Sequence, residues 1–333
     1  PDQPALPDFR VRDDYAFTYS GIDYAGPLYV KNIYVTKEKN VMFKCWLVLF
    51  TCGNSRCIFL DLVPDCSGDT CVLSLKRFIS SRGAPKLIIS DNGKQFISKE
   101  VQDFVASKYI KWKFNPEAAP WTGGFFERMV KSVKRCLKKT LLNCWLTYDE
   151  LLTVIKEIEN IINNRPLGYM YDDVNEEILT PNKLLFGRNL EITADNELIN
   201  VEKDLSKRSI HLEKLINQWW KKWKNEYLVE LREYQKYKLR KREIIPNEGD
   251  IVLIEDSTLK RAQWRIGKIV KLISGKDGQI RVAEVLTKDK NTVLRRPINK
   301  LYPIVQECKP AENLTLKFID ENEIPLIAGG SVR

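Results

Sequence analysis

The chain reads as an α/β domain of about 190 residues, followed by a helical connector and a small β-barrel. Three observations predict this. In the first half, β-branched and aromatic runs of strand length alternate with helical patterns. After Pro246 and Gly249 the period switches to several short strands within about 60 residues. No internal repeat, low-complexity tract or uninterrupted apolar stretch near the ~20 residues of a membrane span interrupts the pattern.

Strands are expected at Phe17–Ala25, Lys44–Thr51 and Arg56–Val63, with the turn Gly53-Asn54 between the last two. A helix over about Gly68–Arg82 places Val72, Leu75 and Ile79 on one face and ends at Gly83 and Pro85. Lys86–Ser90 is short and apolar, as a buried strand should be. A helix near Lys99–Ser107 and a strand at Ile110–Phe114 follow. Two long helices come next. Gly123–Leu142 buries Phe126, Val130, Val133, Leu137 and Leu141. The second opens on the capping-box pattern Thr147-Tyr-Asp-Glu150 and stops at Asn164, before Pro166. Thr180-Pro181 opens a short helix closed by Gly187. Residues 188–208 read as a polar connector. His211–Glu243 is helical, with Leu215, Trp219, Trp223, Tyr227 and Leu231 in near-helical spacing and a basic end, Lys238–Arg242. Barrel strands are expected at Asp250–Glu255, Trp264–Ile273, Ile280–Thr287 and near Val293–Arg295. The divisions are thus a connector at 1–14, an α/β domain at 15–190, a connector and basic helix at 191–243, a barrel at 244–305 and an irregular tail at 306–333.

With 44% apolar and 29% charged residues, the 333-residue chain is globular in composition. A net charge of +10 favours a polyanionic partner, nucleic acid or an anionic surface. The eight cysteines form no C-x-x-C pair, and Cys45, Cys57 and Cys71 sit in apolar patterns suited to small core residues. Cys52/Cys57 and Cys66/Cys71 share a four-residue gap that only weakly suggests zinc. The single histidine, His211, has no neighbouring ligand set, which weighs against histidine-based hydrolysis. No amino-terminal signal pattern is present, and Pro1-Asp-Gln-Pro4 looks like a cut from a longer polyprotein.

The residues that suggest chemistry are acidic. Asp23 lies within the first strand, Asp91 at the carboxyl end of Lys86–Ser90, and Glu127 in the first turn of a long helix. Carboxyl ends of buried strands are where α/β proteins place ligands. Asn92-Gly93 lets the chain leave sharply after Asp91, and Gly123-Gly124 allows close approach at the helix entry before Glu127. Spacing alone is weak: 44 of 333 residues are acidic, and a first-turn Glu is also explained by the helix dipole.

The segments Ser90-Asp-Asn-Gly-Lys-Gln-Phe96 and Pro120-Trp-Thr-Gly-Gly-Phe-Phe-Glu-Arg128, with 35 residues between Asp91 and Glu127, resemble the catalytic core of retroviral and retrotransposon integrases. More narrowly, Gly21-Ile-Asp-Tyr-Ala-Gly-Pro27, Leu49-Phe-Thr-Cys52, Lys76–Gly83, Asn163-Asn-Arg-Pro166 and Leu179-Thr-Pro181 resemble the BEL/Pao group of LTR retrotransposons. Pro246–Val252, Trp264–Lys268 and Arg295–Leu301 extend the likeness, which covers roughly residues 10–305. The resemblance implies an RNase-H-like core, a mixed five-stranded sheet flanked by helices, followed by a helical linker and an SH3-like barrel. It implies Asp23, Asp91 and Glu127 as the catalytic residues and as ligands for two Mg²⁺ ions, with Mn²⁺ able to substitute. Hard oxygen ligands suit Mg²⁺, and two such ions ~3.5–4 Å apart suit phosphodiester chemistry. The implied reactions are end processing and strand transfer, with element-end DNA and host target DNA as partners. The implied setting is a homo-oligomer acting in the nucleus, arriving from a cytoplasmic virus-like particle. The alternative is a domesticated, catalytically retired DNA-binding protein; an intact triad in its expected context favours the enzyme.

This chain departs from the family in lacking the residues of an amino-terminal His-His-Cys-Cys domain, so no zinc site is expected within it. Lys131, Lys134 and Lys138 share a helical face with Glu127 and are expected to contact DNA, against the plainer reading of a solvated face. In the barrel, Lys260, Arg261, Arg265, Lys268, Arg295 and Arg296 are the expected phosphate contacts, within a segment (244–304) of twelve basic and seven acidic residues. Trp219, Trp220 and Trp223 suit helix packing or a subunit interface better than base stacking.

Overall fold

In the computed structural model, the described residues are 14–31, 42–115, 124–141, 145–169, 178–190, 207–239, 246–287 and 292–306, with backbone alone at 124–130, 234–239 and 305–306. The expectations for residues 1–13, 240–245 and 307–333 fall outside them.

Strand β1 (Tyr19–Lys31) is the centre of the first sheet. It runs past the expected end at Ala25, because a register shift between Ala25 and Leu28 carries the chain over Gly26-Pro27. A bulge is where a sheet accepts a proline, which cannot donate to the ladder. β1 pairs antiparallel with β2 (Met42–Cys52), which pairs antiparallel with β3 (Ile58–Val63). β3 starts two residues later than expected, since Arg56 takes a positive φ of 55° that ends the turn. Helix α1 (Gly68–Arg82) is capped by Ser67, whose side chain accepts from the Thr70 amide, and closes on Gly83 at φ 87°. Its buried residues are Cys71, Ser74, Leu75 and Phe78, so the expected Val72 and Ile79 flank the core rather than fill it. β4 (Leu87–Ser90) returns parallel to β1. The short α2 (Lys94–Ile97), not expected from the sequence, and α3 (Lys99–Ser107) lead to β5 (Lys111–Phe114), parallel to β4. The sheet order is β3-β2-β1-β4-β5, mixed and five-stranded.

Helices cover both faces, as the resemblance implies. On one side, Ile22, Val48, Phe50, Phe59 and Ile88 pack with α1 and α3, and Phe50 stacks on Phe78 at 4.1 Å. On the other, Leu28, Leu47, Leu49, Leu60 and Ile89 meet α4 (Gly124–Leu141) and α5 (Tyr148–Asn163). Val133, Leu137 and Leu141 of α4 are buried as expected, while the Phe126 and Val130 side chains lie outside the described residues. The capping box at α5 is present: Thr147 accepts from the Glu150 amide, and Glu150 accepts from the Thr147 amide.

α5 does more than cover the sheet. β3 is an edge strand, whose outward peptide groups need partners. Asn163 accepts from the Ile58 amide at 2.9 Å and donates to the Ile58 carbonyl at 2.8 Å. Glu159 accepts from the Leu60 amide at 2.8 Å, and Lys156 donates to the Leu60 carbonyl. Three polar side chains at helical spacing thus act as a sixth strand. Arg82 closes the arrangement with an ion pair to Glu159 at 2.9 Å.

β6 (Gly168–Tyr169) and α6 (Pro181–Phe186) follow, the latter capped by Thr180 and closed by Gly187 in the left-handed region. α7 (Lys207–Leu239) begins four residues before the expected His211. A second sheet comprises β7 (Ile251–Ile254), β8 (Arg265–Ser274), β9 (Ile280–Thr287), β10 (Val293–Pro297) and, after a 3-10 turn at Ile298–Lys300, β11 (Leu301–Pro303). Its order is β10-β9-β8-β7-β11, all antiparallel. The expected barrel is therefore a five-stranded sheet whose edge strands β10 and β11 do not pair among the described residues. β12 (Val305–Gln306) returns to pair parallel with β6.

The sequence suggests a barrel with its own separate core. The structure differs. Val252, Ile254, Ile269, Ala283, Val285 and Leu301 form a small private cluster. Ile251, Leu253, Tyr302 and Ile304 instead join the core of the first sheet through α7. Trp264 packs edge-on against Trp220 at 5.1 Å and Tyr227 at 5.5 Å, and Trp219 and Trp223 are buried in the same seam. The tryptophans are packing residues, sealing α7 to its neighbours.

Two outcomes follow. Ending the chain after Arg242 strips the cover from the Trp220–Tyr227 face, so the remaining core should melt about 5 °C or more below the full chain. An unchanged melting temperature would show the two sheets to be independent. Asn163→Ala leaves both Ile58 backbone groups unsatisfied in a buried position and should cost about 2 kcal/mol or more in urea unfolding; a cost under ~0.5 kcal/mol would remove Asn163 from the edge-strand account.

Candidate active site

Two carboxylates meet because β1 and β4 are parallel neighbours. The register pairs Tyr19 with Leu87, Ser20 with Ile88 and Gly21 with Ile89. Carried two steps further, it sets Asp23 level with Asp91. Alternation places both on the α4 side, since Ile22 faces the α1 side and Ile89 the α4 side. Asp91 follows the last residue of β4, and its Oδ1 accepts from the Gly93 amide at 3.1 Å, which fixes the carboxylate at the strand exit. Ser90, just before it, accepts from the Trp112 indole at 2.9 Å and is fully buried.

The electrostatics report the same closeness. Burial pushes the Asp23 carboxyl above its ordinary value of 3.8, Lys134 pulls it back in part, and the charge of Asp91 pushes it up again. Asp91 itself is exposed. Two neighbouring carboxylates at a strand terminus are a donor set of hard oxygens, which fits a divalent cation. Glu127 lies in the first turn of α4, and its side chain is outside the described residues. Among the described residues no group of three His, Cys, Asp or Glu side chains is placed to hold a metal ion.

Lys134 was expected to face DNA. Its Nζ lies 2.7 Å from Asp23 Oδ2, with both side chains partly exposed. Position 134 is two turns beyond 127 on the same helical face, so this ion pair turns that face of α4 toward the carboxylates. Lys131 and Lys138 are exposed on the helix surface.

The expected phosphate contacts of the second sheet divide. Lys260 is exposed, Lys268 and Arg296 are half-buried, and Arg295 is exposed but paired with Glu284 at 2.9 Å. Arg265 is largely buried against Asp256. Arg261 is a correction: its side chain is buried, held by Glu213 of α7 at 2.7 Å and by Glu157 of α5 at 3.5 Å. A buried guanidinium needs carboxylate partners, and Arg261 is a clamp between three elements. The polar stripe of α5 was missed altogether, although Lys156, Glu159 and Asn163 fall at a spacing that signals one helical face.

Comparison with known proteins agrees with the first sheet. Residues 26–120 match the integrase core domain, and residues 207–304, which form α7 and the second sheet, match a family of unknown function, DUF5641. The first match starts after Asp23, includes Asp91 and ends before Glu127. The Pro-Pol polyprotein of simian foamy virus type 3 (strain LK3) is 29% identical over 167 residues, which is 50% of this chain and 13% of the polyprotein. The Gag-Pro-Pol polyprotein of human T-cell leukemia virus 3 (strain Pyl43) is 36% identical over 77 residues, 23% of this chain and 5% of the polyprotein. The chain thus spans a small fraction of the length of the curated relatives it matches. Among solved structures, the catalytic core domain of HTLV-2 integrase in complex with magnesium is similar in two forms. The trimeric form has a TM-score of 0.34 and 23% identity, covering 47% of this chain and 91% of that chain. The dimeric form has a TM-score of 0.37 and 20% identity, covering 53% and 99%. In sequence, residues 26–120 match the integrase core domain, and half of the chain is similar to a retroviral Pro-Pol polyprotein.

Proposed function

We propose that the chain is the integrase of an LTR retrotransposon of the BEL/Pao type, a DDE-type polynucleotidyl transferase that trims element DNA ends and joins them to host DNA in the nucleus. The observation that supports this reading is the parallel register of β1 and β4, which, carried two steps past Gly21 and Ile89, brings Asp23 level with Asp91, the latter inside the segment that matches the integrase core domain.

On this reading Asp23, Asp91 and Glu127 hold two divalent ions, Mg²⁺ or Mn²⁺. When bound, such ions supply charge stabilisation to the attacking and leaving oxygens of a phosphodiester. The chain's own residues do the rest. The Gly93 amide holds one oxygen of Asp91, leaving the other to a ligand. Ser90 and Trp112 fix the strand end that carries Asp91. Exposed Lys131 and Lys138 line the α4 surface as phosphate contacts. Lys260, Lys268, Arg295 and Arg296 extend that basic surface on the second sheet, which we read as an SH3-like barrel. No helix among the described residues is long and apolar enough to cross a membrane. The working unit is a homo-oligomer that holds element-end and target DNA together.

Asp91→Asn keeps shape but removes a charge and a hard ligand. End processing and strand transfer on labelled element-end DNA should fall by on the order of a hundredfold or more, with DNA affinity retained. Near-normal strand transfer would exclude Asp91 as an ion ligand.

The raised Asp23 carboxyl gives a second outcome. A carboxyl whose folded pKa exceeds its unfolded value binds its proton more tightly when folded. Ionising it therefore costs stability, which is lost as pH rises from about 3.8 through the folded value. Asp23→Asn abolishes this loss, so without divalent ions its stability advantage over wild type should grow across that window and then level off. Adding Mg²⁺ should stabilise wild type, by ~2.7 kcal/mol at a hundredfold excess over Kd, and Asp23→Asn far less. Equal Mg²⁺ stabilisation of both would place the ion elsewhere.

A further inference from the structure

Three lysines share one face of α4, and only the middle one turns inward. Among the described residues Lys131 and Lys138 make no ion pair, whereas Lys134 lies 2.7 Å from Asp23. The pair is 31% exposed on the lysine side and 25% on the aspartate side, so the ammonium head has a path to solvent. A lysine stem has four flexible carbons, so its ammonium can leave one partner for another. Its carboxylate partner also feels a second negative charge, Asp91, which a single ammonium does not neutralise. A divalent cation brings twice the charge to the same oxygens.

We propose that Lys134 is an exchangeable positioning residue: it holds Asp23 until a divalent cation competes for Oδ2, and once released it takes a DNA phosphate. This rests on the reading of Asp23 as an ion ligand. Lys134 and the cation are alternative partners of one oxygen, so the ion frees a positive charge on the helix face that carries Lys131 and Lys138. Ion binding and DNA binding then strengthen each other, and the coupling is reciprocal. Before the ion arrives, Lys134 holds the Asp23 carboxylate in place through the 2.7 Å contact. The arrangement favours engaging DNA with the site loaded.

The test uses the full chain as wild type, Lys134→Gln, Lys131→Gln and Asp23→Asn. In thermal-shift titrations with Mg²⁺ alone, Lys134→Gln should lower the ion concentration giving half the stabilisation by about two- to five-fold, because the competitor is gone. Lys131→Gln removes the same charge one turn away without the contact and should change it less. DNA binding is then measured over a salt series on a labelled duplex, with EDTA or with a fixed Mg²⁺ concentration. Each phosphate contact by a lysine contributes about 0.9 to the slope of log affinity against log salt. Lys134→Gln should leave the slope unchanged in EDTA and flatten it by about 0.9 in Mg²⁺, whereas Lys131→Gln should flatten it equally in both. A Lys134→Gln protein with wild-type ion affinity, or with the same slope change in both buffers, overturns the exchange. If Asp23→Asn titrates with Mg²⁺ as wild type does, the ligand assignment fails first; if it loses the response while Lys134→Gln is unchanged, only the exchange fails.

Discussion

The parallel pairing of β1 with β4 is the constraint on which the site depends. Antiparallel neighbours bring opposite strand ends together, so β2 sets Leu49, not a carboxylate, beside Asp23. A parallel neighbour brings like ends together, and the register of Gly21 with Ile89, carried two steps further, brings Asp91 level with Asp23. The juxtaposition is locally unfavourable, since like charges repel. It persists because the strands are gripped from both faces, by Ile22, Phe50 and Ile88 on one side and Leu47, Leu49 and Ile89 on the other. Lys134 supplies the one positive charge in direct contact with Asp23 among the described residues.

The rest of the fold keeps that sheet intact. Its edge at β3 is closed by side chains rather than by a strand, and the same α5 carries the packing face. Arg165, fully buried, donates to the Ile162 and Arg56 carbonyls, and Tyr227 of α7 donates to the Pro166 carbonyl. The Asn163-Asn-Arg-Pro166 run is thus a junction of β3, α5 and α7. α7 in turn joins the second sheet through its tryptophans and through Glu213, which holds Arg261. The basic residues of the second sheet and the carboxylates therefore belong to one packed body.

Much of this was legible in the sequence. Strand and helix periods located β1 to β5, and the caps at Thr147 and Thr180 sit where their hydrogen-bonding chemistry requires. Asp23 and Asp91 stood out by strand position and context, not by acidity. What was not legible depends on long-range pairing. Gly26-Pro27 looked like a strand end because a proline normally stops a ladder, and only the partner β2 shows it to be a bulge. β6, β11 and β12 are two or three residues long and carry no period to read. Arg261 looked like surface charge because its partners, Glu157 and Glu213, lie 104 and 48 residues away in sequence. Lys134 looked like its neighbours Lys131 and Lys138 because one-dimensional spacing does not tell which lysine of a face meets the sheet.

The central claim is that Asp23 and Asp91 form one cation site on neighbouring strands. Crystals of the full chain soaked in Mn²⁺ and measured at the manganese edge test it most directly. The account predicts an anomalous peak within coordination distance of both carboxylates, lost in Asp23→Asn. Peaks confined to other carboxylates, such as the exposed Asp65 or Asp277, with none between Asp23 and Asp91, would contradict it.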